Sequence, residues 1–380
     1  MSSSAIQFPQ SGVASETIRG VVSGQDIRTL LLGNGNPSDN FIINGGFDFW
    51  QRGLTGIPVN VPKGGYASAD RWKIWGHQYG LGINYGTLTR STDTPTLNSE
   101  YSGVVASTAA GTDDVTLVQY IESGTARNLV GKQCTFSFYF KRLAATLPAA
   151  SFLRVEAGTL DAKDVGVDYA FNSDPVGGTI ITKSTHASAT LSTAWTKYSI
   201  TFTVPSSGVN GLYLTVQLGN DGADGINLGV GNIFAIGEAM LNIGPTAMPF
   251  QRAGKHIGGE LALCQRYCEV LMSAGIDYSY PISMNSATKG EYSAVFKQAK
   301  RVAPTLQRTG SDSDFGRIVQ YSSSFVVTTS RITAVELYNG GTDTHSAVVN
   351  FTASYVGASV ATTADAFGLT SNILYFDAEI

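Results

Sequence analysis

The chain has 380 residues and a net charge of −4, from 25 Lys+Arg against 29 Asp+Glu, and only 14% of it is charged, where about 25% is usual for a soluble domain. Aromatics at 10% supply enough apolar surface to exclude a disordered chain. The lack of a basic excess excludes a general binder of nucleic acid, and the length leads one to expect two or three domains.

Residues 1–40 hold one short apolar stripe, Ile27, Leu30 and Leu31, with Gly33 as a stop signal. So small a segment cannot offset its own ordering entropy, and 1–40 is expected to attach the chain to a partner. The amino terminus lacks the basic and apolar regions of a signal peptide. No apolar run approaches the roughly 20 residues of a membrane helix. From 41 to 252 the chain reads as short strands separated by Gly/Asn/Asp/Ser clusters, the pattern of a sandwich or barrel. In 71–75, Trp72 and Ile74 fall inward while Arg71, Lys73 and Trp75 fall outward. In 135–141, Phe136, Phe138 and Phe140 share one face, with Tyr139 and Lys141 opposite. In 197–204, Tyr198, Ile200, Phe202 and Val204 alternate with Lys197, Ser199, Thr201 and Thr203. In 212–218, Leu212, Leu214, Val216 and Leu218 alternate with Tyr213, Thr215 and Gln217. Such alternation means antiparallel strands with one buried and one wet face. A helix is predicted over 258–273 from the stripe Leu261, Cys264, Cys268 and Leu271, which places both thiols on one buried face. The region 253–380 then returns to strands.

Chemistry-bearing motifs are sparse. No HExxH, GxSxG, GxxxxGK[ST] or strand-to-helix GxGxxG occurs. Asp48, Glu122 and Glu238 are the carboxylates open to pairing, but Glu238 alternates with Phe234, Ile236 and Met240 and reads as a hydrogen-bonded structural group. The loop 220–225 offers Asn220, Asp221 and Asp224 to a calcium ion. It departs from the EF-hand pattern at Gly222 and Gly231, and hairpin turn chemistry explains it as well. The three cysteines, Cys134, Cys264 and Cys268, form no disulfide framework. There remain Trp75, Tyr139 and Tyr213 on faces expected to be wet, with Gln217, Arg71 and Lys73 as polar neighbours. Flat rings on a rigid sheet suit carbohydrate recognition, and equally suit packing on the helix, the second module or another subunit.

At Asn44-Gly-Gly-Phe-Asp-Phe-Trp-Gln-Arg-Gly53 the chain resembles the opening of bacteriophage tail-fibre and related virion adhesion proteins. Further matches are Tyr66-Ala-Ser-Ala-Asp-Arg-Trp72, Leu129-Val-Gly-Lys132, 237–252 ending in Ala247-Met-Pro-Phe-Gln-Arg252, Glu260–Tyr267, Lys300–Thr305 and Phe376–Ile380. The resemblance implies an all-β chain with a carbohydrate-binding-module-like jelly roll at 41–252, then a single helix and a second, smaller β-sandwich at 253–380. It implies a structural, non-enzymatic virion protein, made in the host cytoplasm. The chain would be a tail fibre or receptor-binding appendage on host surface glycans, a homotrimer attached to other virion proteins through 1–40. The alternatives are a connector or decoration protein and, further off, a polysaccharide depolymerase. Asp70-Arg71-Trp72 reads as an architectural clamp, the Arg pairing with an Asp or a strand-end carbonyl beside a core ring. In related jelly rolls a carboxylate in the opening strand, here Asp48, helps hold a structural calcium ion. Gly46 and Asn242 depart from the family pattern there. No other cofactor, nucleic acid or membrane insertion is expected.

Overall fold

The computed structural model describes residues 39–53, 65–66, 69–78, 86–167, 175–219, 227–272, 278–284, 289–308, 317–321, 326–337, 344–353, 364–368 and 374–379. Of the expected attachment segment only Asp39 and Asn40 fall within them. Asn40 is already part of the sandwich: its Nδ2 donates to the Ala239 and Gln251 carbonyls, and its Oδ1 accepts the Ile42 and Leu241 N–H groups.

The chain is all-β and opens with a jelly-roll sandwich of two antiparallel sheets. The first takes β1 (Gly65–Tyr66), β2 (Lys73–Gln78), β5 (Thr112–Glu122), β10 (Gly211–Gly219), β7 (Phe152–Leu160) and β8 (Gly178–Ala187), in that spatial order. The second takes β3 (Gly86–Ser91), β4 (Ser102–Ser107), β11 (Gly231–Ile243), β6 (Gln133–Arg142) and β9 (Thr196–Thr203). The alternating faces meet between the sheets, where Phe136, Phe138 and Phe140 of β6, Leu212, Leu214, Val216 and Leu218 of β10, and Trp72 and Ile74 are buried together. Burying such a set supplies roughly 1.5–3 kcal/mol per large apolar side chain, which is why the period of two fixes the register. Strand β11 carries a bulge between Gly237 and Met240, and Glu238 adopts φ 49° there.

After the sandwich, helix α1 runs Ile257–Gln265, shorter than the sequence pattern suggests. His256 caps it, its Nδ1 accepting the Gly259 N–H at 3.0 Å. The chain leaves the helix at Arg266, and Cys268 and Leu271 belong to β12 (Cys268–Met272), paired with the later β20 (Leu374–Asp377). The two cysteines are both buried, but not on one helix face. The stripe at i, i+3, i+7 and i+10 misleads because Cys268 to Met272 satisfy strand alternation equally well, and pairing with β20 decides between them.

Beyond α1 lie two further assemblies. Strand β15 (Thr305–Arg308) completes a three-stranded sheet in the order β12, β20, β15. Strands β13 (Tyr278–Met284), β14 (Lys289–Val295), β16 (Arg317–Tyr321), β17 (Val326–Leu337), β18 (Ser346–Ala353) and β19 (Ala364–Gly368) close into a barrel. The smaller β unit is therefore a six-stranded barrel beside a three-stranded sheet. Closure removes the free strand edges that two open sheets would expose.

The six-stranded sheet of the sandwich is apolar on both faces at one end. Away from the main core, Trp75, Val118, Tyr120, Leu160, Val167 and Tyr213 form a second cluster with Tyr66 against it. A glycine makes the room: a Cβ at Gly158 would stand 2.3 Å from Tyr213 ring atoms, and one at Gly178 2.9 Å from them. Gly158→Ala is expected to cost about 1–3 kcal/mol through overpacking. The loss should largely vanish in a Tyr213→Leu background, a double-mutant cycle readable by urea denaturation.

Candidate functional site

Of the residues expected at a carbohydrate face, Trp75, Tyr213, Gln217 and Lys73 do share one face. Trp75, Thr116, Gln217, Arg154 and Thr185 lie in register across β2, β5, β10, β7 and β8. The neighbouring row is Lys73, Val118, Thr215, Glu156 and Lys183. That face is not wet, however. Trp75 is 1% exposed, Tyr213 0% and Gln217 8%. Tyr213 fills the space above Gly158, and the Lys73 ammonium sits 4.5 Å from the Trp75 ring centroid. Arg154 and Glu156 form a buried pair at 2.7 Å. The expectation of exposed rings is thus corrected for Trp75 and Tyr213: both are packing groups. The signal was present in β5, where Val118 and Tyr120 are large and apolar on the face read as polar.

Tyr139 is the exception, half-buried on the outer face of the five-stranded sheet. It stands opposite Lys197 of β9, whose ammonium lies 5.8 Å from the ring centroid and donates to the Met248 carbonyl at 2.8 Å. Two residues along, Lys141 reaches Asp93 at 2.6 Å, and the Trp195 indole N–H donates to the other Asp93 oxygen at 3.0 Å. Lys141 borders the Trp195 ring at 5.9 Å. Hydrogen bonds from Lys141 and then Trp195 hold the Asp93 carboxyl below its usual range. Burial pulls Lys197 down, with Glu238 opposing. Glu238 is a hydrogen-bonded structural carboxylate, accepting from the Thr96 hydroxyl, and burial raises it above the ordinary range. Sequence reading passed over Trp195, although it has the parity of the outward residues Lys197, Ser199 and Thr201.

The metal candidates do not converge. Asp48 accepts the Arg252 Nε–H on one oxygen at 2.8 Å and the Glu100 N–H on the other at 3.1 Å. That environment suits a guanidinium, and a cation would have to displace it, so Asp48 does not fit as a calcium ligand. Asp221 and Asp224 lie outside the described residues. Among the described residues no three His, Cys, Asp or Glu side chains form a cation site. Burial pushes the Cys264 and Cys268 thiols well up, which keeps them protonated.

The densest chemistry lies where the sandwich meets α1, β12 and β20. Asn44, at φ 57°, bonds to the Phe49 carbonyl and N–H and to the Asp70 carbonyl, an αL conformation its short polar side chain tolerates. The Asn44 N–H donates to Glu260 of α1, and the Trp72 indole donates to the Asn44 carbonyl at 3.0 Å. Arg52 is buried against Asp70 at 3.5 Å, Asp377 at 3.3 Å and Glu379 at 3.1 Å. Arg71 pairs with Glu379, donates to the Tyr120 carbonyl at 2.7 Å and stacks 3.7 Å from the Tyr267 ring centroid. Arg71 is therefore buried, at φ 70° just before β2, and not an outward strand residue. An Arg–carboxylate clamp of the kind expected of Asp70-Arg71-Trp72 is observed, but its carboxylate is Glu379 instead of an Asp, and its carbonyl is that of Tyr120 within β5. Arg301 completes the joint by donating to the Ala378 and Glu379 carbonyls at 2.9 and 2.7 Å. Burial would lower the Arg71 pKa, and Glu379 more than reverses it. Burial raises Asp70 to about 6, outweighing Arg52.

Removing one partner of a buried pair strands the other charge, so Glu379→Ala is expected to cost about 3–5 kcal/mol by denaturant unfolding. Trp75→Ala should cost a similar amount, about 3–5 kcal/mol, as a core truncation. Asp70 titrates at about 6 in the folded chain against 3.8 ordinarily. The folded state thus holds the Asp70 proton more tightly, and this contribution to stability grows as pH falls through 6 and is complete below the ordinary value. Unfolding midpoints should accordingly rise between pH 7.5 and 5, with a flatter slope in Asp70→Asn.

No family model and no curated protein matches the chain. Solved structures do resemble it. The carbohydrate-binding module TmCBM61 in complex with β-1,4-galactotriose is 10% identical, covering 55% of this chain and 100% of its own, with TM-score 0.30. The family 22 carbohydrate-binding module of Clostridium thermocellum Xyn10B is 16% identical, covering 49% and 94%, with TM-score 0.29. A putative sugar-binding protein from Bacteroides thetaiotaomicron is 15% identical, covering 54% and 100%, with TM-score 0.32. At such scores the likeness carries no argument about function, and the jelly-roll description rests on the strand order itself.

Proposed function

We propose that this chain is a non-catalytic structural and adhesive protein of a tailed-phage virion, a tail fibre or receptor-binding appendage that adheres to host surface glycans. One observation supports the reading above the others. Five of the segments that carry the resemblance, 44–53, 66–72, 260–267, 300–305 and 376–380, contribute residues to one joint. Asn44, Arg52, Asp70, Arg71, Glu260, Tyr267, Arg301 and Glu379 are all engaged there. Segments scattered over the chain thus act as one structural unit, which is what an ordered series of matching motifs requires. A buried ionic joint also couples the sandwich firmly to α1 and the strands beyond it, as an appendage that transmits force needs. In this reading residues 1–40 attach the chain to other virion proteins, and three copies associate.

The experiment uses the purified full chain as a probe of bacterial cells. Binding to host cells that survives protease treatment and is abolished by periodate, which cleaves sugar diols, is expected. The same chain should compete with phage adsorption, and antibodies to it should label the tail of intact particles. Labelling confined to the capsid or collar, with no cell binding, would favour a connector instead.

A further inference from the structure

We propose that the outer face of β6 and the start of β9 form a saccharide-binding site, built from Tyr139, Lys141, Trp195, Lys197 and Asp93, for a neutral, hydroxyl-rich glycan chain. The inference rests on the adhesive reading above and names the surface and ligand class it lacks. Four of the five residues share one face by parity. Tyr139 is opposite Lys197 and Phe140 opposite Thr196, where the ladder ends, and Trp195 comes next to Lys141, the two meeting at Asp93. Tyr139 lies on β6 and Trp195 stands one residue before β9, on the neighbouring segment. They offer two flat platforms on a rigid sheet.

Each ring is bordered by an ammonium near the outer limit of a cation–π contact, at 5.8 Å for Tyr139 and 5.9 Å for Trp195. The Asp93 carboxylate bridges Lys141 and the indole N–H. Fixing Trp195 and Lys141 in this way removes ordering cost from a binding event. Part of the sheet face is covered, although Ser199, Thr201 and Thr203 of β9 stay exposed. Thr135 bonds the Gly244 carbonyl, Thr201 the Pro245 carbonyl and Asn242 the Thr246 carbonyl, so the 244–248 segment closes the far end. At the Tyr139 to Lys197 end the two rings are half-buried and Lys197 is exposed, its ammonium held by the Met248 carbonyl at the edge of that segment.

Charge complementarity selects the ligand class. Lys141 is matched by Asp93, and the Lys197 ammonium is held by the Met248 carbonyl. The patch therefore holds donors and acceptors of both signs, which suits hydroxyl groups that both donate and accept. An acidic polymer would meet Asp93, half exposed at the rim. The apolar C–H faces of pyranose rings are the complement of the two aromatic platforms.

The full-length chain is titrated against a printed array of neutral and uronic-acid-bearing glycans, then in solution against the neutral hits by tryptophan fluorescence. Neutral glycans should bind and shift the emission. Trp195→Ala and Tyr139→Ala should each weaken binding by about ten-fold or more, the worth of one good contact. Trp195→Phe should retain most of the affinity, and Asp93→Asn should weaken it with an unchanged melting temperature. Binding by the wild type that these variants leave untouched overturns this site while the adhesive reading stands. Salt-sensitive binding of acidic glycans alone overturns the ligand class. No glycan binding by the wild type overturns both.

Discussion

The structure depends on one buried interaction, the meeting of Arg52 and Arg71 with Asp70 and Glu379. All four side chains are almost fully removed from solvent. Taking such charges out of water costs several kcal/mol each, and their mutual attraction only offsets that when geometry and hydrogen bonds are good. Here the Tyr120, Ala378 and Glu379 carbonyls, Gln51 and the faces of Tyr267, Tyr66 and Tyr375 supply the surroundings. The arrangement is a weak source of net stability and a strong source of specificity. Few other relative placements of sandwich, helix and last strand would satisfy all of these groups.

That constraint explains where functional chemistry can and cannot lie. The aromatic and charged residues of the motifs are consumed by the joint and by the second cluster over the six-stranded sheet. The Arg154–Glu156 pair is likewise internal. A regular, accessible sheet surface remains at the Tyr139 and Trp195 end of the five-stranded sheet, where rings and charges are held by neighbours but still meet solvent.

Much of this was legible in the residues, for physical reasons. Period-two alternation in β6, β9 and β10 identified inward residues because one face of each strand must be dry. The clamp at Asp70-Arg71-Trp72 was legible as architecture because an arginine beside a large core ring has few other uses. Its carboxylate partner was not, since nothing local marks a pairing with Glu379. Trp75 and Tyr213 were misplaced because alternation tells which face a side chain takes, not whether that face is covered. Coverage depends on distant glycines and on Val167. The end of α1 was missed because Cys268 to Met272 fit two periods, and only the pairing with β20 separates them. Trp195 was overlooked for standing one residue before its strand.

The Arg71 to Glu379 contact joins positions 308 residues apart, and Arg52 to Glu379 spans 327. A ribosome adding about 5–20 residues per second needs tens of seconds to cover that distance. Throughout that interval the two arginines exist without the carboxylate that the finished fold reserves for them. The sandwich can pair its strands as they emerge, but its junction stays unsealed until the last strand arrives. A chain not yet extended to Glu379 would therefore expose a cationic, aromatic-rimmed seam, a feature by which quality control could tell it from a folded one.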